Sequence, residues 1–401
     1  MRKLLQINVS LNYLSTGKIA EGIAEVASTH GWDCYTAFSG RYYRESSFPS
    51  IKVSSYIEEL IHYAGSLAFD RQGLGSYYAT KRLVKHLETI NPDIIHLHVI
   101  HGSFINYKVL FQYAIKKKVP IVWTMHDCWP FTGHCVYFDQ VGCNKWETHC
   151  CHCPQKKNYP ISLGFDRSKQ NFNLKKNLFS KVNSLTMVPV SEWLGNFVKQ
   201  SFLGNKRICV IHNGIDLSVF KPTTSDVKKK FGIEDRFLII GVANGFGKRK
   251  GLDDFIKLSS ILGDSYKIML IGASKDEIAR IPSSIIALPR TSSQQELVEI
   301  YSAADVFANP TYEDNFPTTN LEALACGTPV ITYDTGGSPE AIDSSTGIVI
   351  PQGDIEGFAC AIKRLQVSPL LSIDCTNRAS QYFDKNICFE EYIKLYDELL
   401  N

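Results

Sequence analysis

Short runs of apolar residues alternate along this chain with longer stretches in which apolar residues return every three or four positions. The short runs, at residues 4–9, 33–38, 94–98, 120–125 and 184–190, are bounded by polar or turn residues and predict strands. The longer stretches, at 17–30, through the segment that ends near 90, and at 106–117, predict helices. The rhythm restarts with strands at 236–242, 267–271, 284–288, 306–309 and from 330, and with helices from about 252 and at 294–303. Strand and helix in alternation predict a parallel sheet covered by helices on both faces. Two rounds of it predict two doubly wound α/β, Rossmann-like domains facing a cleft, with ligands held beyond the carboxyl ends of the strands.

A length of 401 residues suits two domains with sizeable cores, and 44% hydrophobic against 21% charged residues reads as globular. The 43 basic and 40 acidic residues leave a net charge of +3, so no nucleic-acid partner is expected. The opening M-R-K-L-L-Q-I-N-V-S is too interrupted for a signal peptide, and no run approaches the length of a membrane span. A cytoplasmic protein is expected. Twelve cysteines in such a chain point to reduced thiols or a metal site before disulfides.

The most informative stretch, residues 309–332, reads N-P-T-Y-E-D-N-F-P-T-T-N-L-E-A-L-A-C-G-T-P-V-I-T. Glu313 and Asp314 precede a turn at Pro317; an apolar-periodic segment carrying Glu322 then ends at Gly327, and Val330-Ile331-Thr332 begins a strand. Carboxylates therefore stand before and inside the first turns of a short helix. A helix start offers free N–H groups and a positive dipole end, and carboxylates grip sugar hydroxyls by charge-assisted hydrogen bonds. The pairing suits a polyol diphosphate, although an ordinary surface helix with acids in its first turn has the same local pattern.

The stretch resembles the donor-binding segment of retaining GT-B glycosyltransferases of family 4, where two acids with seven residues between them precede an A-C-G-x-P-V-I run. The strict spacing falls here on Asp314 and Glu322, because eight residues separate Glu313 from Glu322. Either Asp314 takes the first acidic role, or Glu313 reaches it through a turn reshaped by Pro317. The resemblance implies that Glu322 holds the nucleotide ribose, that Glu313 and Asp314 face the donor sugar, and that Asn315 and Phe316 border the donor.

Other segments extend the resemblance. Ser15-Thr16-Gly17 after the first strand matches the end of a glycine loop that approaches the donor phosphates, and equally suits a plain helix cap. His126-Asp127 matches an H-D signature whose histidine stands over the donor sugar, and Asp127 is expected to fix its tautomer. Lys250-Gly251 matches the lysine that clamps the leaving diphosphate. Asn244 and Gly245 occupy the place of the usual arginine, so Lys248 or Arg249 must supply the second charge. Arg290 ends a strand where the family lines the nucleotide base. Residues 208–222 resemble the passage between domains, which puts the acceptor domain at 1–205, the donor domain at 206–385 and a last helix at 386–401 that returns to the first domain. Of His96, His98 and His101, the first two share a strand face, where a core role is expected, and His101 lies beyond the strand, within reach of an acceptor.

Within an insertion at about 128–160, Cys135, Cys143, Cys150 and Cys153 have a spacing that fits a closed, structural zinc site. Disulfides, or free thiols clamped by Trp129, Phe131 and Trp146, fit the same pattern. Residues 167–181 mix five cations with Phe172, Leu174, Leu178 and Phe179, the signature of a helix that rests on an anionic membrane or of a solvated helix with one core face.

Together these residues and the resemblance predict a sugar transferase that uses a UDP- or GDP-linked donor; the resemblance implies that no catalytic metal is needed, and no D-x-D occurs. The H-D-x-W-x-F-T-G-H-C block resembles a bacterial subgroup of the family, and this implies a saccharide or lipid-linked saccharide acceptor in lipopolysaccharide, capsule or exopolysaccharide assembly, with peripheral contact at the inner face of the cytoplasmic membrane. The alternatives are a non-hydrolysing nucleotide-sugar epimerase on the same fold and a non-catalytic zinc-containing interaction protein.

Overall fold

A computed structural model describes residues 1–401 and divides the chain into two units, 1–212 with 389–401 and 213–388. The first unit contains β1 (Lys3–Leu11), α1 (Leu14–Thr29), β2 (Asp33–Tyr43), β3 (Ser50–Lys52), α2 (Tyr56–Phe69), α3 (Tyr77–Ile90) and β4 (Ile94–Leu97). It continues with α4 (Tyr107–Lys117), β5 (Ile121–Met125), α5 (Ser168–Phe179), β6 (Leu185–Pro189), α6 (Glu192–Gln200) and β7 (Arg207–Ile208). The second unit contains α7 (Val227–Lys230), β8 (Phe237–Val242), α8 (Leu252–Leu262), β9 (Tyr266–Ile271), α9 (Lys275–Ile278), β10 (Ile285–Leu288) and α10 (Gln294–Ala303). After them come β11 (Val306–Asn309), α11 (Thr318–Ala325), β12 (Val330–Tyr333), β13 (Gly347–Ile350), α12 (Ile355–Val367) and α13 (Ser372–Tyr382). The last helix, α14 (Lys385–Leu400), begins in the second unit and ends in the first.

Both sheets are parallel throughout, with strand orders β3-β2-β1-β4-β5-β6-β7 and β10-β9-β8-β11-β12-β13. In each, the chain moves outward in one direction and then returns to the middle to build the other side. The order therefore reverses between β1 and β4 in the first sheet and between β8 and β11 in the second, and loops leaving adjacent strands there part and leave a crevice. Three short strands, β3, β7 and β13, escaped the sequence pattern because they are two to four residues long at or near sheet edges.

The first sheet has one apolar and one polar buried face. Leu5 and Ile7 of β1 join a core with residues of α3, α4 and α5, such as Leu83, Phe111 and Phe179. The intervening Gln6, Asn8 and Ser10 are fully buried on the opposite face, where the Gln6 amide donates to the Ala20 carbonyl of α1 at 2.7 Å. The end of α14 covers this layer. A Cβ on Gly22 of α1 would lie 2.6 Å from the Phe389 ring, so the glycine permits the close approach.

Two helices show which of their faces turns inward. In α5, Phe172, Leu178 and Phe179 are buried, and so is Lys175, whose ammonium donates to the Trp129 and Thr132 carbonyls at 2.7 and 3.0 Å. The apolar face of α5 is therefore spent on the core and does not lie open to a membrane. Helix α2 is inverted: Glu59, His62 and Ser66 point inward, while Tyr56, Ile57, Leu60, Ile61 and Tyr63 are 44–68% exposed. Glu59 is satisfied inside by Ser39, Gly40 and Ser54, each donating at 2.9 Å.

Candidate active site

The crevice of the second sheet is built by the loops that follow β8 and β11. After β8 the chain makes one tight turn at Lys248–Lys250, and Gly251 takes a left-handed φ of 70°. A Cβ at Gly251 would meet the Pro310 carbonyl oxygen at 2.2 Å, so a side chain there would push the two loops apart. They are also bonded. Tyr312 donates its N–H to the Arg249 carbonyl at 2.8 Å, and the Arg249 guanidinium donates to the Glu313 carbonyl at 2.8 Å.

Lys250 Nζ donates to Asp314 Oδ2 at 2.5 Å, with both side chains 17% exposed. Of the two acids it is Asp314, the one with the family spacing, that holds the lysine, while Glu313 is buried beside it. Helix α11 starts four residues later behind Pro317, and no side chain caps it, so its first N–H groups and positive end face the same edge of the sheet. Glu322, one turn into α11, accepts from the hydroxyl of fully buried Tyr301 at 2.9 Å. The loop after β12 braces the acids: a Cβ on Gly336 would collide with the Asp314 carbonyl, and Gly337 donates its N–H to the Asn315 carbonyl at 3.0 Å.

Not every expected residue joins this group. Lys248 and Arg290 are exposed, the latter beyond the edge strand β10. The side chains of Asn315 and Phe316, expected to border a ligand, are buried, and the Phe316 ring packs on Phe383 with centroids 5.8 Å apart. Two carboxylates absent from the sequence-based set support the site. Asp254 accepts from Tyr312 and Tyr333 at 2.8 and 3.1 Å. Glu277 accepts the N–H groups of Phe246 and Gly247 at 2.8 and 2.7 Å; burial pushes its carboxyl up, but these donors and Ser274 hold it below the ordinary range. Neither belongs to a local motif that would have marked it.

The corresponding edge of the first sheet carries Gly17 after β1, His98 and His101 after β4, and His126 and Asp127 after β5. Gly17 lies in the first turn of α1 against β1, where a Cβ would sit 2.7 Å from Ser10 Oγ; close packing alone requires a glycine there. Asp127 does not orient His126. Its Oδ2 pairs with His101 Nε2 at 2.7 Å and its Oδ1 accepts the Trp129 N–H at 2.8 Å, which also makes His101 a buried structural partner. His126 Nε2 instead meets His98 Nδ1 at 3.2 Å. The rings of His96 and His98 stack at 4.2 Å, and His96 is bonded to Tyr396 and Thr124 at 2.6 and 2.7 Å. Burial lowers His96 to about 3 and His126 to about 4, and drives His98 well below its ordinary value, so the stack is neutral.

Cys135, Cys143, Cys150 and Cys153 line one pocket with His134, Phe138 and Trp146, and none forms a disulfide. The Gly133 N–H donates to Cys150 Sγ at 3.2 Å, and His134 Nδ1 pairs with Asp70 at 2.6 Å. The expected metal geometry is not formed: no three His, Cys, Asp or Glu side chains in the chain are disposed to hold one ion. Burial pushes Cys150 up to about 12, and a hydrogen bond to Cys153 together with burial raises Cys135, while the same bond lowers Cys153 to about 7. Neutral thiols of this kind pack like small apolar groups, here against Phe138 and Trp146.

Two family models match the chain, "Glycosyltransferase Family 4" over residues 54–219 and "Glycosyl transferases group 1" over 224–382. An Escherichia coli K12 protein named as a colanic acid biosynthesis glycosyl transferase, WcaC, is 24% identical over 99% of this chain and 100% of its own length. A Campylobacter jejuni N,N'-diacetylbacillosaminyl-diphospho-undecaprenol alpha-1,3-N-acetylgalactosaminyltransferase is 26% identical over 53% of this chain and 60% of its own. Among solved structures, the sucrose-phosphate synthase of Thermosynechococcus elongatus superposes with a TM-score of 0.72 at 16% identity, covering 100% of this chain and 99% of that one. Anabaena HepE in complex with UDP-glucose gives 0.68 at 14% identity, covering 99% of this chain and 100% of that one.

The buried histidines set a pH limit on the fold. His62, lowered to about 4 by burial, joins His96, His98 and His126 in refusing a proton that the unfolded chain accepts near 6.5. Their stability contribution is complete above that value. It falls on acidification through the window from 6.5 to about 4, by roughly 1.4 kcal/mol per pH unit for each histidine. His134, which burial lowers but which the Asp70 hydrogen bond, the Asp70 charge and Cys153 together raise above its ordinary value, offsets part of the loss. Urea unfolding at pH 7.0, 6.0 and 5.0 should show stability falling at each step, and more steeply from 6.0 to 5.0 than from 7.0 to 6.0; a flat profile would contradict the neutral stack.

Proposed function

This chain belongs to the GT-B glycosyltransferases of family 4, and on that premise we propose that it moves a sugar from a nucleoside-diphosphate donor to a saccharide or lipid-linked saccharide acceptor. We further propose retention of anomeric configuration and a place in cell-surface polysaccharide assembly. The names of the colanic acid and undecaprenol-linked relatives support the second of these.

The contact that carries the donor assignment is the bond between Lys250 and Asp314 beside the uncapped start of α11. A bound diphosphate exchanges places with the Asp314 carboxylate on Lys250, adds the Arg249 charge and takes the free N–H groups of α11. Asp314, released, turns to a donor hydroxyl, and Glu322 takes the ribose. Charge then grows on the diphosphate oxygen as the glycosidic bond breaks, and cations already fixed by the loops stabilise that growth more than they stabilise the ground state.

A lipid-linked acceptor also accounts for the inverted helix α2. Its exposed Tyr56, Ile57, Leu60, Ile61 and Tyr63 are continued by Leu163 and by Phe165, which stacks on Phe69. Tyr77 and Tyr78 stand at the start of α3 with Lys81 over the Tyr77 ring. A mixed aromatic and aliphatic surface edged by lysine matches the headgroup boundary of an anionic bilayer. No helix is long and apolar enough to cross one.

Calorimetric titration with UDP and GDP should find one of them bound by the wild-type chain, with affinity about 30–100-fold weaker in Lys250→Ala, the loss of a charged hydrogen bond of roughly 2–3 kcal/mol. Unchanged affinity would remove the donor assignment. In flotation with phosphatidylglycerol-containing vesicles, Ile57→Asp with Ile61→Asp should release the protein from the lipid fraction by about tenfold or more, given roughly 1.5–3 kcal/mol per apolar side chain. Equal flotation of the variant, or none of the wild type, would rule out the α2 surface.

A further inference from the structure

The pocket of the insertion contains a histidine that its surroundings leave half satisfied. His134 shares that pocket with Cys135, Cys143, Cys150 and Cys153, and its side chain is 1% exposed. Its Nδ1 meets Asp70 Oδ1 at 2.6 Å, a carboxylate oxygen that can only accept, so a ring proton resides on Nδ1. Nε2, on the far side of the ring, has no hydrogen-bond partner. Burial of a polar atom in that condition is unfavourable until something binds it. The sulfurs beside it are held in place. Cys150 and Cys153 end a turn that passes through His152 at a left-handed φ of 46°, and Lys145 fastens the turn by donating to the Cys151 and His152 carbonyls at 3.0 and 3.1 Å. The Gly133 N–H donates to Cys150 Sγ at 3.2 Å, the Gln155 N–H donates to Cys153 Sγ, and the Cys135 thiol donates to the same Cys153 sulfur. Backbone N–H groups aimed at sulfur favour the thiolate, the form in which cysteine binds a metal.

We propose that this pocket is a zinc site of one nitrogen and three sulfurs, in which His134 Nε2 joins Cys135, Cys150 and Cys153 while Asp70 orients the imidazole from behind. Zinc accepts imidazole and thiolate together, and a histidine that binds it commonly turns its other nitrogen to a carboxylate. His134 takes the place that spacing alone assigned to Cys143, which lies on the loop between the segments that the bond from Gly133 to Cys150 joins. The donors do not surround one point in advance, so displacement of the thiol protons, binding and closure of the loop form a single event. Four protein ligands leave no open position, which makes the site a staple and not a reaction centre. What it staples is set by Asp70, the residue that ends α2: its Oδ2 accepts the Arg167 N–H at 2.9 Å and its carbonyl accepts from the Asn171 amide at 2.8 Å. An ion on His134 thereby fastens the insertion to the end of α2 and to the start of α5. Nothing in this arrangement depends on the sugar chemistry proposed above.

Zinc itself is the probe. The full-length chain, mixed with zinc sulfate and freed of excess by gel filtration, should retain about one ion per chain, and X-ray absorption at the zinc edge should fit three Zn–S distances of about 2.3 Å and one Zn–N distance of about 2.0–2.1 Å. A chain that retains no zinc, or a shell of four sulfurs, overturns the proposal without need of any variant. In competition with a chromophoric chelator, Asp70→Asn should weaken zinc binding by about 10–100-fold, His134→Ala should weaken it further, and Cys143→Ser should leave it unchanged. Zinc kept by His134→Ala and lost by Cys143→Ser would contradict the assignment of the fourth ligand. Removal of the ion by chelation should lower the Tm of the wild type, and an unchanged Tm would contradict the structural role. Every one of these readouts is independent of whether the chain transfers a sugar.

Discussion

Everything assigned to the second unit depends on one lysine and one aspartate brought together where the strand order of its sheet reverses. Lys250 and Asp314 are 64 positions apart and share no helix. They meet because β8 and β11 are neighbours and because Gly251 lets the first loop lie on Pro310. Each side chain is largely withdrawn from water. Desolvating two charges costs nearly as much as their attraction returns, so such a pair adds little to stability, and removing one member leaves the other uncompensated. A phosphate can replace the carboxylate on the lysine without leaving any charge alone. On the function proposed above, the pair is a site held ready by a substitute anion.

The first unit meets a different constraint. Its sheet buries a row of polar side chains, which is favourable only when each finds a partner. Gln6 pairs with His98; His96, Thr124, Tyr392 and Tyr396 form a second set of bonds, and the stacked rings of His96 and His98 bring the two sets together. Burial keeps the imidazoles uncharged.

Much of this was legible in the chain. The alternation of strand and helix foretold both parallel sheets, and the acid spacing together with Lys250-Gly251 identified the loops that meet, because these features repeat within a short window. What escaped was decided by faces. Apolar periodicity marks a stripe on α2 and on α5 but does not say which side turns inward, and in α2 the stripe is outside because Glu59 and His62 find partners within. A basic run reads as solvated, yet Lys175 is internal because two loop carbonyls and the Trp129 ring take its ammonium. Asp127 was expected to orient His126 from adjacency alone, whereas the turn after β5 sends the two side chains to different partners. The cysteine spacing suited a metal, and the fold gathers those four thiols into one pocket without a disulfide.

The central claim is that Lys250 exchanges Asp314 for the diphosphate of a donor. A crystal structure of the chain with the tighter-binding of UDP and GDP tests it most directly. The diphosphate should lie within about 3 Å of Lys250 Nζ and of the first N–H groups of α11, with Asp314 turned away from the lysine. A nucleotide bound elsewhere, with Lys250 and Asp314 still joined, would contradict the account.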